Sequence, residues 1–407
     1  MNVISLNNYA SIIGDNETEK IKALAEKISK ASVCHVNSTS FGGGVAEILH
    51  RLVPLMCDVG LNADWRVIQG SDEFFNVTKT IHNGLQGMNI SLTEQMRKTY
   101  LKCNESNAHE LDLDHQFVVI HDNQPAAIIS YYSARTGKWV WRCHIDFSAP
   151  NMAMWRFLAP YVQLYDAAIF SMQKYVRPDL KTPKIAIIPP SIDPLGNKNK
   201  EISESLTSKI LERYDVDPNK PIITQVARFD PWKDPLGAID VYRIVKKKIP
   251  DVQLLLISSM AHDDPEGWFY YEKTARHAGE DYNIHLLTDL IGVKDLEVNA
   301  FQRATNVALQ MSTREGFGLS VTEALWKGVP VIGREVGGIP LQIIDGSTGF
   351  LVSDVKEAAE KTLHLLKHPE EAKRIGGKGR KYVLKNFLIT RHLKDYLKLF
   401  MGLVKWK

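Results

Sequence analysis

The sequence predicts an α/β protein built from two parallel β-sheets, and three observations support this fold class. Short runs rich in Val and Ile alternate with longer amphipathic segments, a pattern typical of βα units laid into parallel sheets. The chain has 407 residues, more than one hydrophobic core usually supports, which indicates two domains. A polar segment at residues 191–200, with Pro and Gly and no periodicity, separates the two series and is the predicted linker.

The predicted strands fall into two groups, one on each side of this segment. In the first half we predict strands near residues 32–37, 64–69, 117–121, 140–145, 167–171 and 185–189. In the second half we predict strands at residues 222–227, 253–258, 284–287, 307–311 and 330–332.

The end of the chain is predicted to be helical and to determine the domain boundaries. Beyond residue 356 the pattern is helical almost throughout, and the amphipathic stretch 390–404 is a candidate to pack back across both domains. We therefore expect residues 1–195 and 388–407 to form one domain and residues 196–387 to form the other.

Composition and charge exclude several classes of protein. A net charge of +3, with basic and acidic residues interleaved, argues against a nucleic-acid partner. The 4 cysteines have neither metal-binding spacing nor the density of a disulfide scaffold, which favours a reducing compartment. No signal-peptide pattern and no apolar run of membrane-spanning length is present, so we expect a cytoplasmic protein without an integral membrane segment. The oligomeric state stays open, with a homodimer among the alternatives.

The most informative motif is the segment 313–325, which follows a predicted strand and opens a predicted helix. Ligands of parallel sheets collect at this edge, where loop amides and a helix N-terminus stabilise anionic groups. Two glycines in the loop permit close approach, and the carboxylates of Glu315 and Glu323 can accept hydrogen bonds from sugar hydroxyls. Alternatively, Glu323 forms a capping box with Ser320, Glu315 is an ordinary loop carboxylate, and the glycines serve a turn.

A second motif places two cations in one loop. Arg228 and Lys233 lie between a predicted strand and a helix that Asp234 is expected to cap, with Pro235 at its first position. Two fixed cations can stabilise the charge of a departing diphosphate without a metal ion. The alternative is a pair of surface cations in local salt bridges.

A third motif is the glycine loop formed by Gly42, Gly43 and Gly44, between the first strand and an amphipathic helix. It permits tight backbone approach to a ligand, but it lacks the G-x-G-x-x-G spacing and the acidic partner of a dinucleotide site. A structural turn is the alternative. Metal-ligand spacing, a nucleophile elbow and a Walker A loop are all missing from the sequence, so we predict neither a metal nor a cofactor.

Two histidine-containing segments end strands in the first half. His121, Asp122 and Gln124 close the first, and Arg142 and His144 close the second. We expect both to face a cleft, where His144 can hydrogen-bond a donor-sugar hydroxyl and the first segment can bind a polar acceptor. A lone strand histidine is more often a satisfied core residue, so a structural role is the alternative.

Together these motifs resemble a known family. The E-x7-E pattern of Glu315 and Glu323, the R-x4-K pattern of Arg228 and Lys233 and the glycine loop are similar to the retaining glycosyltransferases of family 4. Those enzymes have the GT-B fold, with two Rossmann-like domains whose parallel sheets face a central cleft. The strings His-Val-Asn-Ser-Thr, Trp-Arg-Cys-His-Ile-Asp, Arg-Phe-Asp-Pro-Trp-Lys-Asp-Pro and Gly-Arg-Glu-Val-Gly-Gly-Ile-Pro resemble more narrowly the trehalose glycosyltransferring synthases and retaining trehalose phosphorylases. The resemblance covers nearly the whole chain.

The resemblance implies roles for particular residues. Residues 196–387 would bind the nucleotide-sugar donor and the other domain the acceptor. The implied catalytic residues are His144, Glu315, Arg228 and Lys233. The implied donor-binding residues are Gly42, Gly43, Gly44, Arg228, Lys233, Glu315, Gly316, Phe317, Gly318, Leu319 and Glu323. The implied acceptor-binding residues are His121, Asp122, Gln124 and Arg142.

Four functions stay open at this stage. The first is synthesis of trehalose from a nucleotide-diphosphate glucose and free glucose, with the base undetermined. The second is phosphorolysis of trehalose to glucose 1-phosphate and glucose. The third is a catalytically silent GT-B protein that binds sugar or nucleotide, and the fourth is a GT-B epimerase. For transfer, the resemblance implies front-face substitution with retention, in which the departing phosphate assists deprotonation of the acceptor.

Overall fold

The computed structural model describes residues 4–41, 43–260 and 265–404. The chain divides into two units of similar size. Unit 1 comprises Met1–Ser191 and Ile389–Lys407, and unit 2 comprises Ile192–Leu388.

Unit 1 is built on a parallel sheet with helices packed against it. Its strands are β1 (Ser32–Asn37), β2 (Asn62–Val67), β3 (Phe117–His121), β4 (Lys138–Arg142), β5 (Ala167–Phe170) and β6 (Lys184–Ile187). They lie in the order β2-β1-β3-β4-β5-β6. Its helices are α1 (Ala10–Ile13), α2 (Asp15–Glu26), α3 (Gly43–Asp58), α4 (Asp72–Leu85), α5 (Glu94–Glu110), α6 (Met152–Val162) and α15 (Ile389–Leu403).

Both faces of this sheet are covered, and its interior strands β1, β3, β4 and β5 are accordingly buried along almost their whole length. Trp139 and Trp141 pack on one face, and Phe117 packs on the other. Helix α15 covers the second face, where Phe400 stacks on Phe117 with ring centroids 4.4 Å apart. The amphipathic C-terminal stretch therefore completes the core of unit 1.

Unit 2 repeats this architecture with a second parallel sheet. Its strands are β7 (Ile222–Val226), β8 (Gln253–Ser258), β9 (Ile284–Thr288), β10 (Val307–Gln310), β11 (Val331–Arg334) and β12 (Gly349–Val352). They lie in the order β12-β11-β10-β7-β8-β9. Its helices are α7 (Glu204–Arg213), α8 (Pro235–Lys246), α9 (Pro265–Ala278), α10 (Asp295–Ala304), α11 (Leu319–Trp326), α12 (Ile339–Gln342), α13 (Val355–Lys367) and α14 (Pro369–Asn386).

The strand predictions of both halves are confirmed to within a few residues, with one omission. Strand β12 was missed because it has only four residues and begins with Gly349, directly after a turn. Its pairing with β11, in which Val331 lies opposite Gly349, supplies the stabilisation that local sequence lacks.

Helix α8 begins as predicted. The Asp234 carboxylate accepts a hydrogen bond from the Gly237 amide at 3.0 Å, and Pro235 occupies the first helical position. Asp234 itself has a φ of 46°, in the left-handed region that Asp tolerates better than most residues. The same carboxylate binds Arg334 at 2.8 Å. The start of α8, next to the predicted cation loop, is therefore held in place from two sides.

The predicted linker is not a solvated connection. The Asn299 amide donates to the carbonyls of Asn197 and Lys200 at 2.9 and 2.8 Å, and the Lys327 ammonium binds the Asn199 side chain at 2.9 Å. These contacts satisfy backbone carbonyls of a segment without regular structure. The division between the two units falls inside the predicted linker, between Ser191 and Ile192, and residues 197–200 of that segment pack against α10 and α11.

Among the described residues, no helix combines the length and the apolar character needed to cross a lipid bilayer. The cysteines are free thiols. Cys34 and Cys143 are buried, Cys103 is partly buried and Cys57 is exposed.

Candidate active site

In unit 2 the two predicted motif loops lie side by side. They follow β7 and β10, which are neighbours in the sheet, so both loops leave its carboxyl edge. The Thr313 amide donates to the Trp232 carbonyl at 2.7 Å, and the Gln225 side chain joins the Lys233 carbonyl to the Met311 amide. These hydrogen bonds fix the loops relative to one another.

An ion pair joins the two motifs. The Lys233 ammonium lies 2.7 Å from Oε2 of Glu315, and the two side chains are only 18% and 8% exposed. The same oxygen accepts from Gln310 Nε2 and from Ser312 Oγ, each at 3.2 Å. The Glu315 carboxylate therefore interacts with Lys233, Gln310 and Ser312, and of these three residues only Lys233 was a predicted site residue.

Arg228 differs from Lys233 in its surroundings. Its side chain is 67% exposed, and its guanidinium contacts Asp230 at 3.1 Å. The other oxygen of the Asp230 carboxylate accepts from the amides of Trp232 and Lys233 at 2.9 and 3.0 Å. Asp230 thus orders the loop, while the Arg228 cation remains accessible to an anionic ligand.

The loop that carries Glu315 depends on glycine at several positions. Gly318 has a φ of +86°, and a Cβ there would lie 3.1 Å from Cγ of Glu315. A Cβ on Gly337 would lie 1.7 Å from the Glu315 carbonyl oxygen, and one on Gly338 would lie 2.6 Å from the Gly316 carbonyl oxygen. The Gly337-Gly338 turn therefore packs directly on the backbone of the motif, a contact that was not predicted from the sequence.

The remaining predicted site residues of this motif differ in burial, and Gly316, Gly318 and Leu319 are partly exposed. Phe317 is 5% exposed, and its carbonyl accepts a hydrogen bond from the Gln342 side chain. Leu319 is the first residue of α11, and Gly318 is its N-cap without a side-chain cap. The backbone amides at the start of α11 are thus free of a capping side chain.

The capping-box alternative for Glu323 is wrong. Helix α11 begins at Leu319, so Ser320 lies inside the helix, where its hydroxyl donates to Gln310 at 2.9 Å. The Glu323 carboxylate instead receives a hydrogen bond from Gln302 at 3.4 Å and lies 3.6 Å from the Lys198 ammonium. Glu323 is 2% exposed, so its charge is compensated by residues distant in sequence.

In unit 1 the two histidine segments also come together. His121 Nδ1 lies 3.0 Å from His144 Nε2, and His121 Nε2 lies 3.0 Å from His35 Nδ1. Both segments end adjacent strands, with His121 opposite Arg142 in register. Burial lowers the pKa of His121 and of His144 well below the usual value, with the nearby Arg142 charge acting in the same direction. Sequence reasoning missed His35, for which a polar residue in a buried apolar strand was the only signal.

The predicted acceptor residues differ in their exposure. Arg142 is 0% exposed and His121 is 3% exposed, so both side chains are buried in unit 1, and their contact with an acceptor stays a prediction. The Asp122 carboxylate accepts from the His144 backbone amide at 2.6 Å, and burial raises the Asp122 pKa to about 7. Asp122 therefore orients the His144 backbone. Gln124 is partly exposed.

The glycine loop is only partly described. Gly42 lies outside the described residues, whereas Gly43 and Gly44 lie in the first turn of α3. Gly43 has a φ of +75°, and a Cβ there would meet no atom of the described residues within 4 Å. The positive φ, and not crowding, favours glycine at this position.

One further polar cluster lies in the sheet of unit 1. Possible ligand atoms of Cys34, Asp64 and His115 lie within 4.8 Å of one another, although no sequence spacing predicted it. Asp64 already contacts Arg66 at 3.1 Å and His115 at 3.3 Å. These contacts leave Asp64 Oδ1 and His115 Nδ1 without a hydrogen-bond partner among the described residues.

Comparison with known proteins assigns both halves of the chain to described families. A model described as "Trehalose synthase, N-terminal domain" matches residues 35–177, and one described as "Glycosyl transferases group 1" matches residues 207–382. The trehalose synthase of Thermococcus litoralis is 60% identical over 97% of this chain and 96% of its own length. The trehalose phosphorylase of Pleurotus pulmonarius is 28% identical over 86% of this chain and 54% of its own length.

The fold is confirmed by solved structures. Sucrose-phosphate synthase from Thermosynechococcus elongatus superimposes with a TM-score of 0.71 at 16% identity, covering 92% of this chain and 99% of that one. At this identity the likeness shows the fold alone, which is the GT-B fold predicted from the motifs.

Proposed function

This chain belongs to the trehalose synthase family of glycosyltransferases, and from that premise we propose that it makes trehalose from a nucleotide-diphosphate glucose and free glucose. The observation that carries the proposal is the Lys233–Glu315 ion pair of 2.7 Å, which joins the loop of Arg228 and Lys233 to the loop of Glu315 at one sheet edge. In this proposal unit 2 binds the donor and unit 1 binds the acceptor.

The cations of unit 2 would act on the leaving group. As the glycosidic bond of the donor breaks, negative charge grows on the diphosphate, and cations already in place stabilise that charge. Arg228, with 67% of its side chain exposed, would contact the phosphates from solvent, and Lys233 would contact them from its partly buried position.

The carboxylates would bind hydroxyls. We assign Glu323 to the ribose hydroxyls of the donor, and Glu315 with the amides at the start of α11 to the transferred glucose. Because Oε2 of Glu315 already interacts with Lys233, Gln310 and Ser312, that oxygen is a poor nucleophile. This supports retention by front-face substitution, with the departing phosphate taking the acceptor proton, over a covalent glycosyl-enzyme.

In unit 1, His144 would hydrogen-bond a hydroxyl of the donor sugar. This imidazole is partly exposed, and its Nε2 is engaged with His121, which leaves Nδ1 as the nitrogen available to a sugar hydroxyl. The Asp122 carboxylate would hold the His144 backbone in place during the reaction. The free thiols also fit the reducing cytoplasm, which is the compartment we propose.

Trehalose phosphorolysis is the second candidate, favoured by the similarity to the Pleurotus phosphorylase. The Arg228 and Lys233 cations suit inorganic phosphate as well as a diphosphate. The two reactions differ in whether a nucleoside is bound, which is the role proposed for Glu323.

The deciding experiment is a substrate matrix with the purified protein. ADP-, UDP- and GDP-glucose are each incubated with glucose, with glucose 6-phosphate and with buffer, and trehalose is incubated with inorganic phosphate. NMR of the products identifies the disaccharide and its linkage. We expect an α,α-1,1-linked disaccharide only when nucleotide-glucose and glucose are both present. Glucose 1-phosphate formation from trehalose and phosphate, without transfer from any nucleotide sugar, would reverse the assignment.

A further inference from the structure

Three histidines of unit 1 form a continuous hydrogen-bonded series. His35 lies on β1, His121 lies at the end of β3, and His144 lies just beyond the end of β4. The two ring-to-ring contacts are both 3.0 Å and both join Nδ1 of one ring to Nε2 of the next. Only His144 is partly exposed, whereas His35 is 0% and His121 is 3% exposed. The series therefore runs from the buried core to the residue assigned to the sugar.

All three imidazoles are neutral near pH 7. Burial lowers the His35 pKa to about 3, and burial together with the Arg142 charge lowers the pKa of His121 and His144. A neutral imidazole carries one N–H and one bare nitrogen, so it donates at one position and accepts at the other.

This rule leaves the series only two arrangements. His121 contacts a ring on each side, so it donates to one neighbour and accepts from the other. In the first arrangement every ring carries its proton on Nδ1, and in the second every ring carries it on Nε2. The proton position on His144 is thus coupled through His121 to that on His35.

The buried end distinguishes the two arrangements. His35 Nε2 has no hydrogen-bond partner among the described residues. A buried N–H without an acceptor is rarer in proteins than an acceptor that lacks a donor. The first arrangement leaves a bare nitrogen at this position, and the second would leave an N–H. We therefore propose that His35 is a positioning residue that fixes His144 as the Nδ1–H tautomer, so that His144 donates a hydrogen bond to a sugar oxygen.

This inference rests on the function proposed above for His144, but its primary measurement does not. In water the Nε2–H tautomer of histidine predominates, so three Nδ1–H rings in series form a distinctive signature. Ring 15N chemical shifts of the full chain, assigned by single histidine substitutions, report the tautomer of each residue directly. We expect Nδ1–H for His35, His121 and His144. An Nε2–H tautomer at His144 overturns the proposal, whatever the activity of the protein.

Variants separate positioning from packing. His35→Phe keeps a ring against Tyr396, which lies 5.6 Å away edge-to-face, but removes both nitrogens. We expect His144 to shift to Nε2–H and kcat to fall about tenfold, the size of one neutral hydrogen bond, with the donor KM unchanged. His35→Asn places an amide near the Nδ1 position and should restore most of the rate.

The matched control is His392, a buried histidine of the same core outside the series. It is 1% exposed, stacks on Tyr396 at 5.3 Å and contacts the Ser191 hydroxyl at 3.0 Å. His392→Phe should leave the His144 tautomer and kcat unchanged. If His35→Phe folds and His144 keeps its tautomer, or if the His392 control shifts it equally, His35 does not position His144. If no transfer activity exists, the 15N spectra still decide the proposal, and the proposed function fails separately.

Discussion

Replacing Lys233 by Met tests the donor motif most directly, because Met preserves the length of the side chain and removes its charge. At 2.7 Å and an effective dielectric constant of about 20, the Coulomb attraction to Glu315 is about 6 kcal/mol before desolvation. Removing one partner of a buried pair usually costs about 3–5 kcal/mol. We expect a loss near the lower end, about 3 kcal/mol, because Lys233 is 18% exposed and Glu315 keeps the donors Gln310 and Ser312.

The loss of stability alone would not establish a role in transfer, so turnover is measured on the same variant. If the cation stabilises the departing diphosphate, kcat should fall about 100- to 1000-fold, as for loss of one oxyanion-stabilising group. Adding Glu315→Gln to Lys233→Met should recover part of the stability, because no uncompensated carboxylate remains. The double variant should not recover turnover. Urea unfolding and initial-rate kinetics measure the two effects separately.

A matched control lies in the same unit. Lys246, at the far end of α8 from the motif loops, pairs with Asp281 at the same distance of 2.7 Å. Lys246→Met should reduce stability by less than Lys233→Met, because both partners are more exposed, and should leave kcat unchanged. If Lys233→Met retains normal turnover, or if the Lys246 control loses as much, the phosphate role of Lys233 is rejected.

Three further predictions concern other parts of the two units. Glu323→Gln should weaken nucleotide-sugar binding about tenfold or more, because an amide replaces a charge-assisted acceptor of two hydroxyls, and calorimetry that finds unchanged donor affinity would reject the ribose role. Gly337→Ala should destabilise the protein far more than Gly279→Ala; both glycines have positive φ, but only the first would place a Cβ against the Glu315 carbonyl, so equal melting temperatures of the two variants would contradict the packing argument. The lowered pKa of His35 means that the unfolded state binds a proton there below about pH 6.5, so stability is lost as pH falls towards 3, at about 1.4 kcal/mol per pH unit from this group. His35→Asn should remove that contribution, so between pH 7 and pH 5 the melting temperature of the variant should fall less than that of the parent protein. Equal falls in the two proteins would show that His35 is not buried as a neutral ring.

Local sequence patterns were sufficient to identify three residues of the predicted donor site. Arg228, Lys233 and Glu315 were identified because each follows a strand, and the carboxyl ends of parallel strands meet at one edge. Their roles towards a substrate stay predictions. The sequence also suggested a capping box at Glu323, since Ser320 has the right type and spacing. That alternative failed because the left-handed Gly318 starts the helix two residues earlier.

The partners of these residues were beyond sequence reasoning. Lys198 and Gln302 contact Glu323 although each lies more than 20 residues from it in the sequence. No local pattern distinguishes them from other polar residues. The same is true of the Gly337-Gly338 turn, whose closeness to Glu315 follows from the adjacency of β10 and β11. The segment 191–200 was interpreted as a linker because it is polar, contains Pro and Gly and shows no periodicity, and the sequence did not indicate that α10 satisfies carbonyls of residues 197–200.

The sequence by itself determined the fold class, the two sheets and the position of the motif loops, because alternating βα periodicity is present in each segment and parallel strands must end at a common edge. Only the tertiary structure decided which side chains compensate the charges of those loops and which imidazoles touch. Those contacts depend on strand order, with β7 beside β10 in one sheet and β1 beside β3 and β3 beside β4 in the other. Strand order is set by the packing of whole faces against their helices, which no local stretch of sequence encodes.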